Sequence, residues 1–244
     1  MSNISRRKLI TSGVVGAAGV SGIAVAARIA DQHGLVPPDS GGMYGGGHTL
    51  TYAAQRLLVG NSNAREFARS QISKTPHPKG RPPKGEEFLR LKAGGFQDWR
   101  LKVDGMVERP GLFSVAELRS FPTSSQITQM ICEEGWSYIA EWTGVPLSHI
   151  LNLVGVQPLA KYAVYSTMDG RVEAIDMSEA WHEQTLVSYG MNGGEIPVGH
   201  GGPLRLRVPR QLGYKSRKFL TKLTFTDTLK GLRLDTKYSW YAGI

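Results

Sequence analysis

The sequence contains a single cysteine, Cys132, and places two carboxylates directly after it at Glu133 and Glu134. A lone cysteine cannot form an internal disulfide, and no cysteine or histidine lies at the spacing of a zinc site. Two interpretations remain: an inert buried thiol, which is the usual state of free cysteine, or one soft thiolate presented to a ligand. The alternating residues 125–131 predict a strand that ends at this cysteine.

A basic head, Arg6-Arg7-Lys8, precedes an uncharged, glycine-rich apolar run from Leu9 to Ala27. This pattern predicts an export signal of the twin-arginine type over residues 1–30. A membrane anchor is the alternative because the run is long enough to be borderline for a span, and an uncleaved signal would serve both purposes. The twin-arginine route carries folded proteins, so the signal favours a protein that receives a cofactor before export.

Composition excludes several classes of function. The formal charge is +9, but residues 1–30 hold four basic residues and no acid, which leaves 25 basic and 20 acidic residues elsewhere. No basic stripe with interleaved aromatics occurs, so we expect no binding to nucleic acid. The sequence also lacks a haem-attachment motif, an iron–sulfur cysteine cluster, a dinucleotide fingerprint and a P-loop.

The pattern of the chain predicts an α+β fold with mixed β-sheets, short helices and much irregular structure. Residues 31–60 are interpreted as a linker or arm, and residues 61–244 as one domain, with a proline-rich connector at 75–85. In chain order, the sequence predicts a helix or turn over 61–69, a strand ending at Gly105, a helix capped by Ser114 and Glu117, the strand before Cys132, a helix after Pro146 closed by Gly155, a strand over 160–168, a short helix capped by Ser178, and strands over 185–189, 203–208 and 220–226.

Several motifs occur together in a fixed order. They are Asp104-Gly105, Pro110-Gly111, residues 131–137, Trp142-Thr143-Gly144-Val145-Pro146-Leu147, residues 199–209 and Gly213-Tyr214-Lys215-Ser216-Arg217-Lys218. In this combination the chain resembles the molybdopterin-dependent oxidoreductases of the sulfite oxidase superfamily over about residues 60–230. The Cys-x-x-Gly-Trp-Ser form is more similar to the exported bacterial branch, which includes a periplasmic methionine-sulfoxide reductase, than to animal and plant sulfite oxidases.

The resemblance implies that Cys132 is the catalytic thiolate that binds molybdenum. In the family the metal is held by the dithiolene sulfurs of molybdopterin, and the protein adds one thiolate, so one cysteine suffices. A soft metal site favours sulfur as the ligand, and the ligand is a deprotonated thiol.

The resemblance also implies further residues that bind the cofactor. Thr167 stands where the family presents a hydroxyl to the pterin or its phosphate. His200 and Arg205 match positions that hold the cofactor, although the most similar subfamily has an amide residue where His200 stands. The guanidinium of Arg205 suits a phosphate better than a lysine would.

The last cofactor contacts implied by the resemblance lie at the two ends of the domain. Ser216, Arg217 and Lys218 follow a glycine-containing turn and could cradle the terminal phosphate. Near the start of the domain, Asn63, Arg65 and Glu66 correspond to a family motif that has an aromatic residue in place of Arg65.

The function implied by the resemblance is oxygen-atom transfer, with reduction of methionine sulfoxide or a related S- or N-oxide ranked first. Glu133 and Glu134 would repel sulfite if they faced the metal, so sulfite dehydrogenation ranks second. A cofactor-free binding protein on the same fold is a third hypothesis. Electrons would pass to or from a membrane b-type or soluble c-type cytochrome outside the cytoplasm. Little sequence follows Lys230, so we expect no dimerising β-sandwich and a monomer.

Overall fold

A computed structural model of the chain describes residues 25, 30, 35–36 and 45–235. The chain divides into two units at the junction of Val59 and Gly60. In the first unit the described element is helix α1, Gly45–Val59, which lies within the segment interpreted as a linker or arm. The predicted export signal lies outside the described residues, apart from Val25 and Ala30. None of the helices in the described ranges is long and apolar enough to cross a membrane.

The second unit is built from short helices and ten strands among its described residues. The helices are α2 (Glu86–Ala93), α3 (Val115–Ser120), α4 (Leu147–Val154) and α5 (Met177–Trp181). The strands are β1 (Arg100–Gly105), β2 (Gly111–Ser114), β3 (Ser124–Ile131), β4 (Ser137–Pro146), β5 (Tyr162–Thr167), β6 (Val172–Asp176), β7 (Leu186–Met191), β8 (Gly194–Glu195), β9 (Arg205–Arg207) and β10 (Leu220–Thr226). The predicted α+β class with mixed sheets is confirmed.

The strands form two five-stranded sheets. The first has the order β2-β1-β10-β5-β6, in which β1 and β10 run parallel and the other pairs are antiparallel. The second is antiparallel, with the order β3-β4-β7-β8 and with β9 also paired to β7. The strand that precedes Cys132 is therefore at one edge of the second sheet.

Local sequence explains most of the element boundaries. The capping box predicted for Ser114 and Glu117 is present, because the Ser114 hydroxyl accepts from the Glu117 amide while the Glu117 carboxylate accepts from the Ser114 amide. Helix α4 ends at Gly155, which adopts the left-handed conformation as predicted. The turn at Asn192 and Gly193 has positive φ at both residues, as a tight hairpin between β7 and β8 requires.

Two predictions about local structure are wrong. The cap of α5 is Asp176, whose carboxylate accepts from the Glu179 amide at 2.9 Å, whereas Ser178 lies inside the helix. Both residue types can cap a helix, and Asp176 is already held at the end of β6. For residues 61–69, predicted as a helix or turn, the helical alternative is wrong: a turn at Asn61 is followed by extended chain in which Glu66 bridges Thr128 on β3, and a 3₁₀ helix begins only at Arg69 (Arg69–Gln71).

The hydrophobic core lies in two clusters. The larger joins α4 to residues of both sheets, including Leu101, Leu147, Leu206 and Phe225, all of which are fully buried. The smaller contains Met130, Tyr138, Ala140, Trp142, Met191 and Ile196 on the second sheet. Met130 and Tyr138 also line a cavity beside Cys132, so this smaller cluster forms part of the cavity wall.

Candidate active site

A cavity of about 360 Å³ lies in the second unit where the ends of the two sheets meet. Its wall includes Cys132 and five other residues singled out from the sequence: Arg205, His200, Ser216, Arg217 and Lys218. These residues come from the end of β3, from β9 and the turn before it, and from the loop that leads into β10. A volume of this size lies within the usual range for small-molecule sites.

Cys132 stands at the first position of a tight turn immediately after β3. Its carbonyl accepts from the Gly135 amide at 3.0 Å, and its amide donates to the Trp136 carbonyl at 2.9 Å. Gly135 has a φ of 92°, which a residue with a side chain rarely adopts, and this explains the glycine at that place. The turn aims the thiol into the cavity while leaving the residue only 4% exposed.

The charged groups around the thiol come from segments before and after Cys132 in the sequence. Lys79 places its Nζ 3.4 Å from Cys132 Sγ, 2.5 Å from Glu133 Oε1 and 3.2 Å from Glu134 Oε1. Burial raises the pKa of the Cys132 thiol, and the Glu133 carboxylate adds to that effect. Burial would raise the pKa of Glu133, but the hydrogen bond from Lys79 opposes this effect and the pKa is lowered. Glu133 is therefore charged at neutral pH.

Arg205 and Arg207 are buried guanidinium groups without a carboxylate partner among the described residues. Arg205 donates to the carbonyls of His200 and Ser216 at 2.7 and 2.6 Å. Arg207 donates to the Ser216 hydroxyl and to the Gln129 carbonyl on β3. Burial, followed by the charge of Arg205, lowers the pKa of Arg207 to about 9. Two adjacent buried cations without a counterion are costly, so the arrangement favours an anionic ligand.

The predicted phosphate cradle lies directly against the cysteine turn. A Cβ atom added to Gly213 would come within 3.1 Å of the Ile131 carbonyl and 3.8 Å of Cys132 Cα, so the glycine permits this close approach. The Ser216 hydroxyl accepts from the Val208 amide at 2.9 Å. Lys218 donates to the carbonyls of Lys79 and Gly199, and burial lowers its pKa to about 8.

His200 is buried between the cradle and the aromatic wall. Its Nδ1 lies 3.5 Å from the Tyr138 hydroxyl, and the two rings meet edge to face at 5.6 Å. Burial lowers the pKa of His200 to about 4, and the positive charges of Arg205 and Lys218 contribute further. The imidazole is therefore neutral at pH 7, so it can accept a hydrogen bond as well as donate one.

Thr167 lies one contact away from the cavity. It is buried at the end of β5, and its hydroxyl donates to the Asp169 carboxylate at 2.6 Å. Asp169 lines the cavity and also pairs with Arg171 at 3.3 Å. The hydroxyl of Thr167 is thus engaged within its own turn in this structure, and the role implied for it stays a prediction.

The three residues predicted near the start of the domain do not line the cavity. Asn63 donates to Glu183 at 2.7 Å, and Glu66 accepts from Gln184 at 3.0 Å. Arg65 stacks over the Phe67 ring, with its guanidinium carbon 4.9 Å from the ring centroid. The structure places them beside the free edge of β3, and their role in binding the cofactor stays a prediction.

Sequence reasoning missed several residues of the cavity wall. They are Lys79, Arg81, Trp136, Tyr138, Asp169, Arg171 and Asp235. Trp136 belongs to a motif that was recognised, so its place in the wall could have been inferred from its distance to Cys132. Lys79 gave no such signal, because a lysine between prolines is typical of any exposed connector.

The residues present fit a molybdopterin group. Cys132 supplies one soft ligand, and no cluster of three or more histidine, cysteine or acidic residues that could hold a metal occurs in the described chain. The Nε atoms of Arg205, Arg207 and Arg217 are buried without a hydrogen-bond partner. Of these, Arg205 and Arg217 line the cavity together with Cys132, so one soft ligand and buried cationic donors face the same space, as a cofactor with both a metal and a phosphate requires.

Comparison with known proteins agrees with this geometry. The family described as oxidoreductase molybdopterin binding domain matches residues 90–231. A putative protein-methionine-sulfoxide reductase subunit YedZ1 of Azospira oryzae is 35% identical over 188 residues, which cover 77% of this chain and 70% of the relative. The protein-methionine-sulfoxide reductase catalytic subunit MsrP of Xanthomonas campestris pv. campestris is 32% identical over 164 residues.

The match to the Xanthomonas protein covers 61% of this chain and 49% of the relative, so the chain spans about half of that relative's length. Among solved structures, the sulfane dehydrogenase SoxCD from Paracoccus pantotrophus matches with a TM-score of 0.52 and 26% identity, over 54% of this chain and 39% of the other. The resemblance predicted from the motifs is confirmed, and with it the cofactor. The chain belongs to the oxidoreductase molybdopterin binding domain family and is a molybdopterin-dependent oxidoreductase with a sulfite-oxidase-type fold.

Proposed function

We propose that this protein reduces a sulfoxide, with Cys132 as the only ligand that the polypeptide supplies to the molybdenum. The proposal is supported by the position of the buried thiol, which faces a cavity that is also lined by Arg205, a buried guanidinium without a carboxylate partner among the described residues. The names of the two curated relatives support methionine sulfoxide, free or within a protein, as the substrate class.

The polypeptide holds and orients the groups that react. Ser216, Arg217 and Lys218 would bind the phosphate end of the cofactor, with Arg205 beside them. When bound, the cofactor supplies a metal that exchanges an oxygen atom and changes its oxidation state by two. Trp136 and Tyr138 stack at the other side of the cavity and present an apolar surface to the substituents of the substrate sulfur.

The overall reaction consumes one sulfoxide, two electrons and two protons, and yields one thioether and one water. The sulfur–oxygen bond breaks, the sulfur is reduced and the oxygen leaves as water. The electrons come from a protein donor, because the sequence itself carries no haem-attachment motif. We expect that donor to be a membrane b-type or a soluble c-type cytochrome outside the cytoplasm.

Sulfite dehydrogenation is the second candidate, and one observation favours it more than the sequence did. Lys79 pairs with both Glu133 and Glu134, so these acids do not present two uncompensated negative charges to an anion. Arg81 adds positive charge to the cavity lining, whereas Arg171 is paired with Asp169 and Asp235. Dye-driven reduction of sulfoxides, compared with sulfite-dependent reduction of cytochrome c by the same preparation, separates the two functions.

Replacement of the cysteine tests the proposed site. Cys132→Ala should lower dye-driven turnover of methionine sulfoxide by at least about a thousandfold, because the protein's only ligand to the metal is removed. Molybdenum and pterin content are measured separately in the same samples, since the cradle can retain the pterin. Ser125→Ala, at the exposed start of the same strand, is the control and should keep wild-type turnover. Full turnover of the alanine variant would overturn the assignment.

From the predicted signal we expect export by the twin-arginine route, and we also expect a monomer. Fractionation of the producing cells tests the location, and a protein found only in the cytoplasm would contradict it. Light scattering of the purified protein tests the oligomeric state.

A further inference from the structure

Residues 76–81 form a proline-rich strap across one side of the cavity. The ring of His77 meets that of Trp136 edge to face at 4.8 Å, next to the cysteine turn. At the other side, the Lys79 carbonyl accepts from Lys218 at 2.5 Å, and Pro78 lies against Gly199. The strap is therefore attached to both walls through its rings and backbone, independently of the Lys79 ammonium.

That attachment holds the Lys79 ammonium beside the thiol. Lys79 Nζ and the Glu134 amide both donate to Cys132 Sγ, at 3.4 and 3.5 Å. Glu133 approaches the same sulfur, with its Oε2 at 3.4 Å, and its side chain is only 10% exposed. One cation and one nearly buried carboxylate therefore act on the sulfur from comparable distances, while the exposed Glu134 carboxylate lies farther from it, with its Oε2 at 3.9 Å.

We propose that Lys79 and Glu133 are an opposing charge pair that sets the reduction potential of the metal bound by Cys132. The proposal rests on the proposed role of Cys132 as the metal ligand. A positive charge near the ligand stabilises the reduced, more negative state of a metal centre and raises its potential, whereas a carboxylate lowers it. Because the distances are short and Glu133 is nearly buried, solvent screens these effects less than it would at the surface.

A purely structural role for Lys79 makes a different prediction. If the ammonium only held the loop in place, its removal would lower stability or cofactor content and would not shift the potential in a direction set by charge. The contacts of His77, Pro78 and the Lys79 carbonyl remain in a Lys79→Met variant, so the strap should stay closed.

The test is a redox titration of the holoenzyme, in which the molybdenum signal is followed by electron paramagnetic resonance. Lys79→Met should lower the midpoint potential and Glu133→Gln should raise it. The double variant should return close to the wild-type value, because the two charges are removed together. Lys79→Arg should keep the wild-type potential, since the charge is preserved.

The matched control is Lys84→Met, which removes an exposed cation from the same irregular stretch and should leave the potential unchanged. Shifts of the same sign for Lys79→Met and Glu133→Gln, or no shift in either, would overturn the inference. If Lys79→Met fails to load molybdenum, two variants still test the charge effect. Glu133→Gln should raise the potential, and Lys79→Arg should leave it unchanged. A wild-type potential in metal-loaded Cys132→Ala would instead refute the ligand assignment on which the inference rests.

Discussion

His200 shows how surroundings can decide the charge of a single residue. It is 8% exposed and lies close to Arg205 and Lys218, so protonation would add a third positive charge to a place already short of anions. The folded chain binds the imidazole proton only near pH 4, whereas the unfolded chain binds it near the ordinary value of 6.5. Between these values the unfolded state binds more protons, so acid favours unfolding.

His200→Asn should therefore flatten the pH dependence of stability in the cofactor-free protein. In the wild type, the depressed pKa of His200 should lower the free energy of unfolding by about 3 kcal/mol as the pH falls from about 6.5 to about 4. Urea unfolding across that range measures the slope. Ser125→Ala, an exposed position without an ionisable group, is the control and should keep the wild-type slope. If His200→Asn keeps the wild-type pH dependence of the free energy of unfolding, His200 is not the cause of the acid sensitivity.

At the scale of residues, the sequence singled out several residues that the structure places in the cavity wall, while their roles stay predictions. Cys132, Arg205 and Ser216 all line the cavity, because each belongs to a short segment whose local geometry determines its direction. The contact of Lys79 with Cys132 joins residues 53 positions apart, and no local pattern encodes it. This contact also gives Glu133 and Glu134 a shared cation, which the sequence alone did not indicate.

At the scale of elements, prediction succeeded where one residue type marks a boundary. Gly155 and the Ser114 cap were correct because their conformations and hydrogen bonds are local. Helices α1 and α2 were not predicted, since the first follows a glycine-rich run and the second follows the prolines. The bridge of Glu66 to Thr128 depends on a free sheet edge, which only the complete fold provides.

The pairing of β1 with β10 requires a glycine at residue 105. Gly105 has a φ of 93°, and an added Cβ would lie 2.2 Å from the Phe225 carbonyl oxygen. Gly105→Ala should therefore lower the free energy of unfolding by at least about 3 kcal/mol, as expected when a backbone clash cannot relax. Gly170→Ala is the matched control, because Gly170 has a φ of 78° with open space around it.

The control should lose only about 1–2 kcal/mol, which is the cost of the left-handed conformation alone. Equilibrium denaturation of both variants measures the difference between them. Equal losses would mean that the positive φ, and not the close approach of the two strands, decides the cost at Gly105.

For the whole molecule, the decisive feature is that the cavity gathers the ends of both sheets. Cys132 follows a strand of the second sheet, while Arg171 and Lys218 flank strands of the first. The turn that carries Ser216 is tied to β6 through Lys215, whose Nζ lies 3.0 Å from Glu173. The parallel pairing of β1 with β10 lies inside the first sheet and joins strands from the two ends of the domain. Neither strand alone carries a signature of it.

A ligand in this cavity should therefore stabilise both sheets together. The bound anion would compensate Arg205 at the cavity wall. A ligand present at a thousandfold excess over its dissociation constant adds about 4 kcal/mol to the free energy of unfolding. For a domain of this size the holoenzyme should melt roughly 8–16 °C above protein made in cells that cannot synthesise the cofactor. Calorimetry measures this shift, and hydrogen exchange locates it.

The added protection should fall on the strap, the cysteine turn and residues 199–218, because these segments surround the cavity. The region of β2 and α3 contributes no residue to the cavity wall and should exchange alike in both forms, which makes it an internal reference. Equal melting temperatures would mean that the buried cations are already compensated within the chain. Protection confined to one sheet would mean that the cavity does not couple the two, although both contribute to its wall.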